Sequence, residues 1–272
     1  MEAVILRIVI YTLIAYGVLR LFEWRSLYCP SKEIKHTPEE TGLKFEDVTF
    51  VTEDDIRLNG WWIPHKKARG TVIMFHGNGG NIGGRVAAAD DLHSLRLNVF
   101  LFDYRGYGRS RGITTEKGTY KDARAAYEYV RMRYQNVEKP PVILYGRSLG
   151  GAVAAQCALD KPIKGLILES TFSSTSDMAR EMYPWLPIHS IITFKYNTVD
   201  KIEKVSVPLL ISGSVDDNMI PSSQGKKVFD RAKEPKRWID LTGGHNDAGW
   251  MSSPAYWKTL EEFVNKIFSD KE

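Results

Sequence analysis

Short apolar runs alternate with helix-forming segments along most of the chain. Each apolar run continues into a glycine-rich or polar loop, and these strand-and-loop segments are GTVIMFHGNGG (70–80), LNVFLFDYRGYG (97–108), VILYGRSLGG (142–151), IKGLILES (163–170), VPLLISGSVDDNMIP (207–221) and KRWIDLTGGHND (236–247). Helical composition follows in AAADDLHSL (87–95), TYKDARAAYEYVRMRY (119–134), the alanine-rich stretch 151–159, SQGKKVFDRA (223–232) and PAYWKTLEEFVNKIF (254–268). Continuous apolar strands that alternate with helices predict an α/β fold with a mostly parallel central sheet and helices on both faces.

Two segments depart from this alternation. FEDVTFVTEDDIRLNGWWIP (45–64) predicts two strands joined by a polar turn at Glu53–Asp55. Residues 170–205 are rich in aromatic side chains and contain Pro184 and Pro187. An insertion between strands at the carboxyl edge of a sheet overhangs the region where α/β proteins form their sites, so about 171–205 is interpreted as a small cap lining a substrate pocket. An ordinary crossover helix with a long loop is the alternative.

The amino-terminal segment is apolar almost throughout. Ala3 to Phe22 is interrupted only by Arg7, Thr12 and Arg20. A helix of that length spans a hydrocarbon core of about 30 Å, so residues 1–24 are predicted to form a single-pass membrane anchor, with 25–272 as the α/β domain that contains the cap. A cleaved signal peptide is the rival, although the run is long for one and no small-residue cleavage site follows it. The basic residues at the carboxyl end of the run and beyond it outnumber Arg7 near its start and favour a cytoplasmic domain, and they are Arg20, Arg25, Lys32 and Lys35.

Composition and charge narrow the possible functions. The 272 residues carry a net charge of +4, with basic and acidic residues interspersed, so no basic stripe indicates nucleic-acid binding. Cys29 and Cys157 do not form a recognisable disulfide framework. The glycine loop HGNGGN lacks the third glycine of a dinucleotide-binding motif, since Ile82 stands there, and Arg85 and Val86 replace the Lys and Ser/Thr of a P-loop.

The segment 142–151 contains the pattern G-x-S-x-G. Gly146, Ser148 and Gly150 lie between a predicted strand and a predicted helix, where a tight turn projects the serine hydroxyl outward. A helix-capping serine on a glycine turn is the plainer interpretation of this pattern alone. A nucleophilic serine needs a base and a group that orients the base, and both must come from elsewhere in the chain.

Loops after later strands supply these groups. His245 follows the last strand behind two glycines, and Asp216 and Asp217 follow the strand before it. The number of residues after Gly213 favours Asp216 as the acid, whereas the number of residues before Pro221 favours Asp217. Glu169 is a remoter candidate. The order serine, aspartate, histidine is that of an α/β-hydrolase.

Two further loops complete the predicted site. The HGNGGN loop, which opens with His76, can present the backbone N–H of Asn78 to an oxyanion together with that of Leu149. Asp103 and Arg105, in DYRGYG, are predicted to brace the neighbouring loop.

The motifs together resemble the Bem46-like serine hydrolases of the α/β-hydrolase superfamily. The resemblance rests on HGNGGN, DYRGYG, YGRSLGG, GSVDDNMIP and GGHND, and it covers about residues 20–268. It implies Ser148 as nucleophile, Asp216 as acid and His245 as base, in a hydrolase that needs no metal or cofactor. The choice of Asp216 over Asp217 rests on a similarity to S9 peptidases, in which the first aspartate of such a pair is the acid of the triad.

The expected activity is hydrolysis of an acyl ester or thioester, small or carried on a lipid-modified substrate, near a membrane. The anchor and the apolar stretch MYPWLPIHSIITF (182–194) favour it, and the resemblance to depalmitoylating relatives makes thioesters plausible. A peptidase or amidase of the same fold is the alternative. The alternative from another functional class is a lipid-binding protein without catalytic activity, although such a protein does not need a catalytic triad. No protein partner is indicated.

Overall fold

The computed structural model of the protein describes residues 1–134, 140–246 and 254–269. Its strands in chain order are β1 (Cys29–Pro30), β2 (Glu46–Val51), β3 (Arg57–Ile63), β4 (Gly70–Phe75), β5 (Gly79–Gly80), β6 (Leu97–Phe102), β7 (Val142–Arg147), β8 (Gly165–Glu169), β9 (Leu209–Ser214) and β10 (Lys236–Leu241). The α-helices are α1 (Glu2–Leu27), α2 (Val86–Ser94), α3 (Glu116–Met132), α4 (Leu149–Asp160), α5 (Thr175–Met182), α6 (Thr198–Ile202), α7 (Ser222–Arg231) and α8 (Pro254–Ser269).

Eight strands form one mostly parallel sheet in the order β10-β9-β8-β7-β4-β6-β3-β2. Strands β2 and β3 pair with each other antiparallel, and β3 pairs antiparallel with β6, whereas the other neighbours are parallel. The central strands β4, β7 and β8 are buried throughout except at Arg147, because helices cover both faces. The predicted fold class and the hairpin at 45–64 are therefore confirmed.

The sheet separates two hydrophobic clusters. One face buries Phe100, Leu144 and Leu168 against side chains of α3 and α4. The opposite face buries its own strand residues against α2 and α8. This packing brings the carboxyl ends of β4, β7, β9 and β10 to one edge, where the predicted site residues follow these strands.

The segment between β8 and β9, which the sequence analysis predicts to be a cap, is called the cap below. It contains α5, a short 3-10 helix at Pro187–Ser190 and α6. The two ends of this segment pack into the core, since Phe172 and Tyr196 are buried. Trp185, in its middle, is exposed.

Helix α1 projects from the domain and buries none of its side chains fully. Its last turns nevertheless contact the domain, because the Trp24 indole donates to the backbone oxygen of Thr114 at 2.8 Å. Tyr28, directly after the helix, is buried, and its hydroxyl lies 2.8 Å from that of Tyr196.

Candidate active site

Ser148 occupies a strained turn between β7 and α4. Its backbone has φ 55° and ψ −123°, a conformation that side-chain-bearing residues seldom adopt. The flanking glycines permit the close packing of this turn. A Cβ added at Gly150 would lie 1.9 Å from the backbone oxygen of Phe75, and one at Gly146 would lie 2.5 Å from the oxygen of Gly150. The strand-turn-helix geometry expected of G-x-S-x-G is therefore present.

Ser148, His245 and Asp217 form a hydrogen-bonded chain. The His245 Nε2 atom lies 3.2 Å from the Ser148 Oγ, and its Nδ1 lies 2.7 Å from the Asp217 Oδ2. The three residues are 7%, 5% and 9% exposed, respectively. A carboxylate that accepts from Nδ1–H leaves Nε2 free to accept the serine proton, so the geometry suits general-base activation of Ser148.

The sequence-based choice of Asp216 as the acid is corrected by this geometry. Asp216 is exposed, and its Oδ2 accepts the backbone N–H of Gly243 at 3.2 Å. It thus braces the glycine loop that leads to His245. The two aspartates are neighbours in a turn, so their side chains point in different directions and only Asp217 reaches the imidazole. Spacing to Pro221 was the sequence signal for Asp217.

Asp217 is held in its ionised form. Burial acts to raise the pKa of its carboxyl, but hydrogen bonds from His245 and from the N–H groups of Ile220 and Met219 outweigh burial, and the pKa lies below its ordinary value. The two backbone bonds measure 2.8 and 2.9 Å. Asp217 therefore carries a negative charge next to the imidazole at neutral pH.

The loop after β4 lies against the serine. A Cβ at Gly77 would be 3.4 Å from that of Ser148. His76 is buried, and its Nδ1–H donates at 2.7 Å to the oxygen of Gly77, which belongs to the same peptide unit as the Asn78 N–H. Leu149 is the first residue of α4, where helix N–H groups lack intrahelical acceptors. Both predicted oxyanion donors thus belong to backbone that borders Ser148.

Aromatic and acidic side chains from DYRGYG fix that loop. The Tyr107 hydroxyl donates to the oxygen of Asn78 at 2.7 Å, and Tyr104 donates to that of His76 at 3.1 Å. Asp103 Oδ1 accepts the N–H of Ile82 at 2.9 Å, as its predicted bracing role requires. Arg105 instead forms ion pairs with Asp122, on α3, and with Asp54, in the β2–β3 turn. It therefore connects those two elements.

Arg147 connects the nucleophile turn to the histidine loop, a role that the motif did not predict. Its guanidinium donates to the backbone oxygen of His245 and forms an ion pair with Glu169 at 3.2 Å. Burial raises the pKa of Glu169, against the opposing effect of Arg147 and of the hydroxyls of Tyr256 and Tyr145. Glu169 therefore supports the histidine loop through Arg147, whereas the hydrogen-bond partner of the imidazole Nδ1 is Asp217.

A cavity of about 530 Å³ opens at Ser148 and His245. The described residues around it are Cys29, Ser31, Glu33, Lys35, His36, Gly77, Asn78, Gly79, Gly80, Asn81, Gly84, Arg85, Arg147, Ser148, Met219, His245 and Asn246. None belongs to the cap, so the expectation that 171–205 lines this pocket is wrong for the described part of the chain. The segment 29–36, which follows α1, forms one wall instead.

That wall is held by specific hydrogen bonds. Strand β1 pairs in parallel with β5, so Cys29 and Pro30 face Gly79 and Gly80. The Asn81 amide donates to the backbone oxygens of Ser31 and Glu33 at 3.1 and 2.6 Å. The chain leaving α1 is consequently part of the pocket.

Two arginines outside this segment, Arg85 and Arg147, also line the pocket and make it partly cationic. The Arg85 guanidinium donates to the oxygen of Gly79 at 2.8 Å, and burial together with the nearby Arg147 lowers its pKa. Within the described ranges, no cluster of three or more His, Cys, Asp or Glu side chains is placed to hold a metal ion.

Comparison with known proteins gives relatives that span nearly the whole chain. Residues 66–198 match the family model described as serine aminopeptidase S33. An uncharacterized protein of Mycobacterium tuberculosis is 33% identical over 95% of this chain and 94% of its own length. The α/β-hydrolase domain-containing protein WAV2 of Arabidopsis thaliana is 31% identical, covering 94% and 91%. Protein bem46 of Schizosaccharomyces pombe is 32% identical, covering 93% and 89%.

Solved structures agree on the fold. A Pyrococcus furiosus esterase superposes with a TM-score of 0.73 at 21% identity, covering 89% of this chain and 98% of its own. The α/β hydrolase GrgF of a Penicillium species gives a TM-score of 0.67 at 19% identity, covering 84% and 100%. With its sheet order, its serine turn and relatives of this length and identity, the chain belongs to the α/β-hydrolase superfamily and, within it, to the Bem46-like proteins.

Proposed function

We propose that this α/β-hydrolase is a membrane-anchored serine hydrolase of acyl esters or thioesters, with Ser148 as nucleophile, His245 as base and Asp217 as the group that orients the base. The supporting observation is the buried hydrogen-bonded chain from Asp217 through His245 to the Ser148 hydroxyl. Asp217 thus takes the role that the sequence analysis predicts for Asp216.

The reaction proceeds through an acyl-enzyme. Ser148 Oγ bonds to the substrate carbonyl carbon while its proton moves to His245 Nε2. The tetrahedral intermediate collapses, the bond to the leaving oxygen or sulfur breaks, and His245 returns the proton to that atom. Water then attacks the acyl-enzyme by the same route and releases the carboxylic acid and Ser148. The ionised Asp217 stabilises the imidazolium that forms in each half of the cycle.

The backbone N–H groups of Asn78 and Leu149 are proposed to bind the developing oxyanion. The positions of both next to Ser148 support this role, and the His76 and Tyr107 hydrogen bonds restrain the loop that carries Asn78. Donors fixed before the reaction stabilise a developing charge most effectively, because they need no reorganisation.

The test is hydrolysis of matched acyl substrates. Purified full-length protein in detergent is assayed with p-nitrophenyl esters and acyl thioesters of two to sixteen carbons. We expect turnover that depends on chain length and falls at least about 10³-fold in Ser148→Ala. Turnover by Ser148→Ala at the wild-type rate would remove Ser148 from the mechanism.

A peptidase or amidase activity is the second candidate, because the matched family model describes a serine aminopeptidase. The same triad chemistry cleaves amides when the leaving amine is protonated by the histidine. Aminoacyl p-nitroanilides assayed beside the acyl esters separate the two: a higher kcat/KM for the anilides would favour the aminopeptidase.

We further propose that α1 remains attached as a transmembrane anchor and that the catalytic domain is cytoplasmic. The helix is 26 residues long and contains an 18-residue window of mean hydropathy 1.9. Residues at its end bond to the domain, as Trp24 does to Thr114. Removal of α1 as a signal peptide would break these contacts. Retention of full-length protein in carbonate-washed membranes supports the anchor, and release of a shortened form contradicts it. Protease is then added to right-side-out membrane vesicles. If it degrades the domain only after the vesicles are opened, the domain lies on the cytoplasmic side.

A further inference from the structure

Four apolar side chains of the cap are exposed. Trp185 is 74% exposed, Ile191 48%, Met182 45% and Tyr183 42%. They fall within ten consecutive positions around the short helix Pro187–Ser190, and they are called the cap patch below. Monomeric proteins seldom expose large apolar side chains in such a group without a partner for them.

The cap next to this patch is fastened to the end of α1. Glu23 Oε1 accepts the backbone N–H groups of Thr193 and Phe194 at 2.6 and 3.0 Å, and its Oε2 accepts the Thr193 hydroxyl at 2.7 Å. Arg20 pairs with Glu23 at 2.6 Å and donates to the backbone oxygen of Ile191 at 2.9 Å. One member of the patch, Ile191, therefore lies at the level of Arg20 along the helix.

That level coincides with the end of the apolar run. A helix rises about 1.5 Å per residue, so a stretch of some twenty residues ending near Phe22 fills a hydrocarbon core of about 30 Å. The membrane boundary then falls among Arg20, Phe22 and Glu23, beside the cap attachment. Tryptophan and tyrosine are the residues that favour this interfacial zone.

We propose that the cap patch is a membrane-docking surface, which inserts Trp185 into the interfacial zone of the leaflet where α1 ends; this rests on the proposed anchoring by α1. The domain is then held at two points, and it does not tilt or rotate freely together with α1 in the membrane. The pocket wall at residues 29–36 follows α1 directly, so the fixed orientation keeps the pocket close to the membrane surface.

The test measures where the Trp185 ring lies. Full-length wild type and Trp185→Phe are reconstituted into phosphatidylcholine vesicles, and the fluorescence that the substitution removes is assigned to Trp185. We expect phosphatidylcholine brominated near the headgroup to quench this component at least about twofold, and aqueous iodide to leave it largely unquenched. A component quenched by iodide and insensitive to brominated lipid would overturn the docking surface.

Met132 offers a matched control. It is 67% exposed at the far end of α3, sixteen residues from Glu116, which bonds to the cap through the N–H groups of Lys195 and Tyr196. That separation is about 24 Å of helix. Met132→Trp in the Trp185→Phe background is expected to show the reverse pattern, with quenching by iodide only; a brominated-lipid response there as strong as that of Trp185 would contradict a specific docking face.

Flotation of the same vesicles separates the two proposals. Failure of wild type to float with the lipid would overturn the anchor and this inference together. Flotation with a water-exposed Trp185 would overturn the docking surface alone and leave the anchor standing.

Discussion

At the scale of single residues, the two neighbouring aspartates give the sharpest contrast. Asp217→Asn keeps the size of the side chain but leaves the imidazole without an anionic acceptor, so we expect kcat to fall about 10³–10⁴-fold. Asp216→Asn is the matched control. It weakens one exposed hydrogen bond to Gly243, and we expect less than about a tenfold loss. Steady-state kinetics on one ester decides, and equal losses in both variants would contradict the assignment.

The lowered pKa of Asp217 also predicts how stability varies with pH. Because the pKa is lower in the folded protein, the ionised carboxylate stabilises the fold fully above the unfolded value of about 3.9, and this contribution is lost as pH falls through the folded value. The difference in unfolding free energy between wild type and Asp217→Asn should therefore shrink below about pH 4. Urea titrations between about pH 2.5 and 6 measure this difference, and a difference that grows below about pH 4 would argue against a stabilised carboxylate.

The residue scale also marks where sequence reasoning succeeds and where it fails. Ser148 and His245 were identifiable because a glycine pattern and a loop after the last strand indicate them without knowledge of contacts. The choice between Asp216 and Asp217 depends on the direction of two adjacent side chains in a turn, which no periodicity encodes. The sequence does not indicate the role of Arg147, because its partners, Glu169 and the His245 oxygen, are distant in sequence.

At the scale of elements, the contact between α4 and β4 fixes the serine turn. Gly150 has no room for a side chain, since an added Cβ would lie 1.9 Å from the backbone oxygen of Phe75. Gly150→Ala is expected to destabilise the protein by more than about 3 kcal/mol or to prevent folding.

Gly84→Ala is the comparison for this prediction, because a Cβ at Gly84 meets nothing within 4 Å. We expect a change of less than about 1 kcal/mol for it. Thermal unfolding of both variants in detergent provides the measurement, and similar melting temperatures would mean that the packing at Gly150 is looser than described.

The elements differ in how far the sequence predicts them. Buried strands such as β4 and β7 are continuous apolar runs, so their existence and order follow from the pattern. The pairing of β1 with β5 involves two residues in each strand and leaves no periodic signal. For that reason the sequence does not indicate the pocket wall at 29–36, and its aromatic residues favour the cap as the lining instead.

At the scale of the whole molecule, Glu23 connects the proposed anchor to the catalytic domain. Glu23→Ala removes an acceptor for three donors of the cap and should lower the melting temperature in detergent by several degrees, about 3–6 °C. Glu2→Ala, at the exposed start of the same helix, should change it by less than about 1 °C. Equal melting temperatures for Glu23→Ala and wild type would show that the helix and cap are not coupled.

The most direct test of the central claim is covalent labelling of the proposed nucleophile. Full-length protein in detergent is treated with a fluorophosphonate, and the adduct is located by peptide mass spectrometry in wild type, Ser148→Ala, Asp217→Asn and Asp216→Asn. The account predicts one adduct, on Ser148, that is absent in Ser148→Ala, forms orders of magnitude more slowly in Asp217→Asn and forms at nearly the wild-type rate in Asp216→Asn. An adduct on another residue, or no adduct on folded wild-type protein, would contradict an activated Ser148.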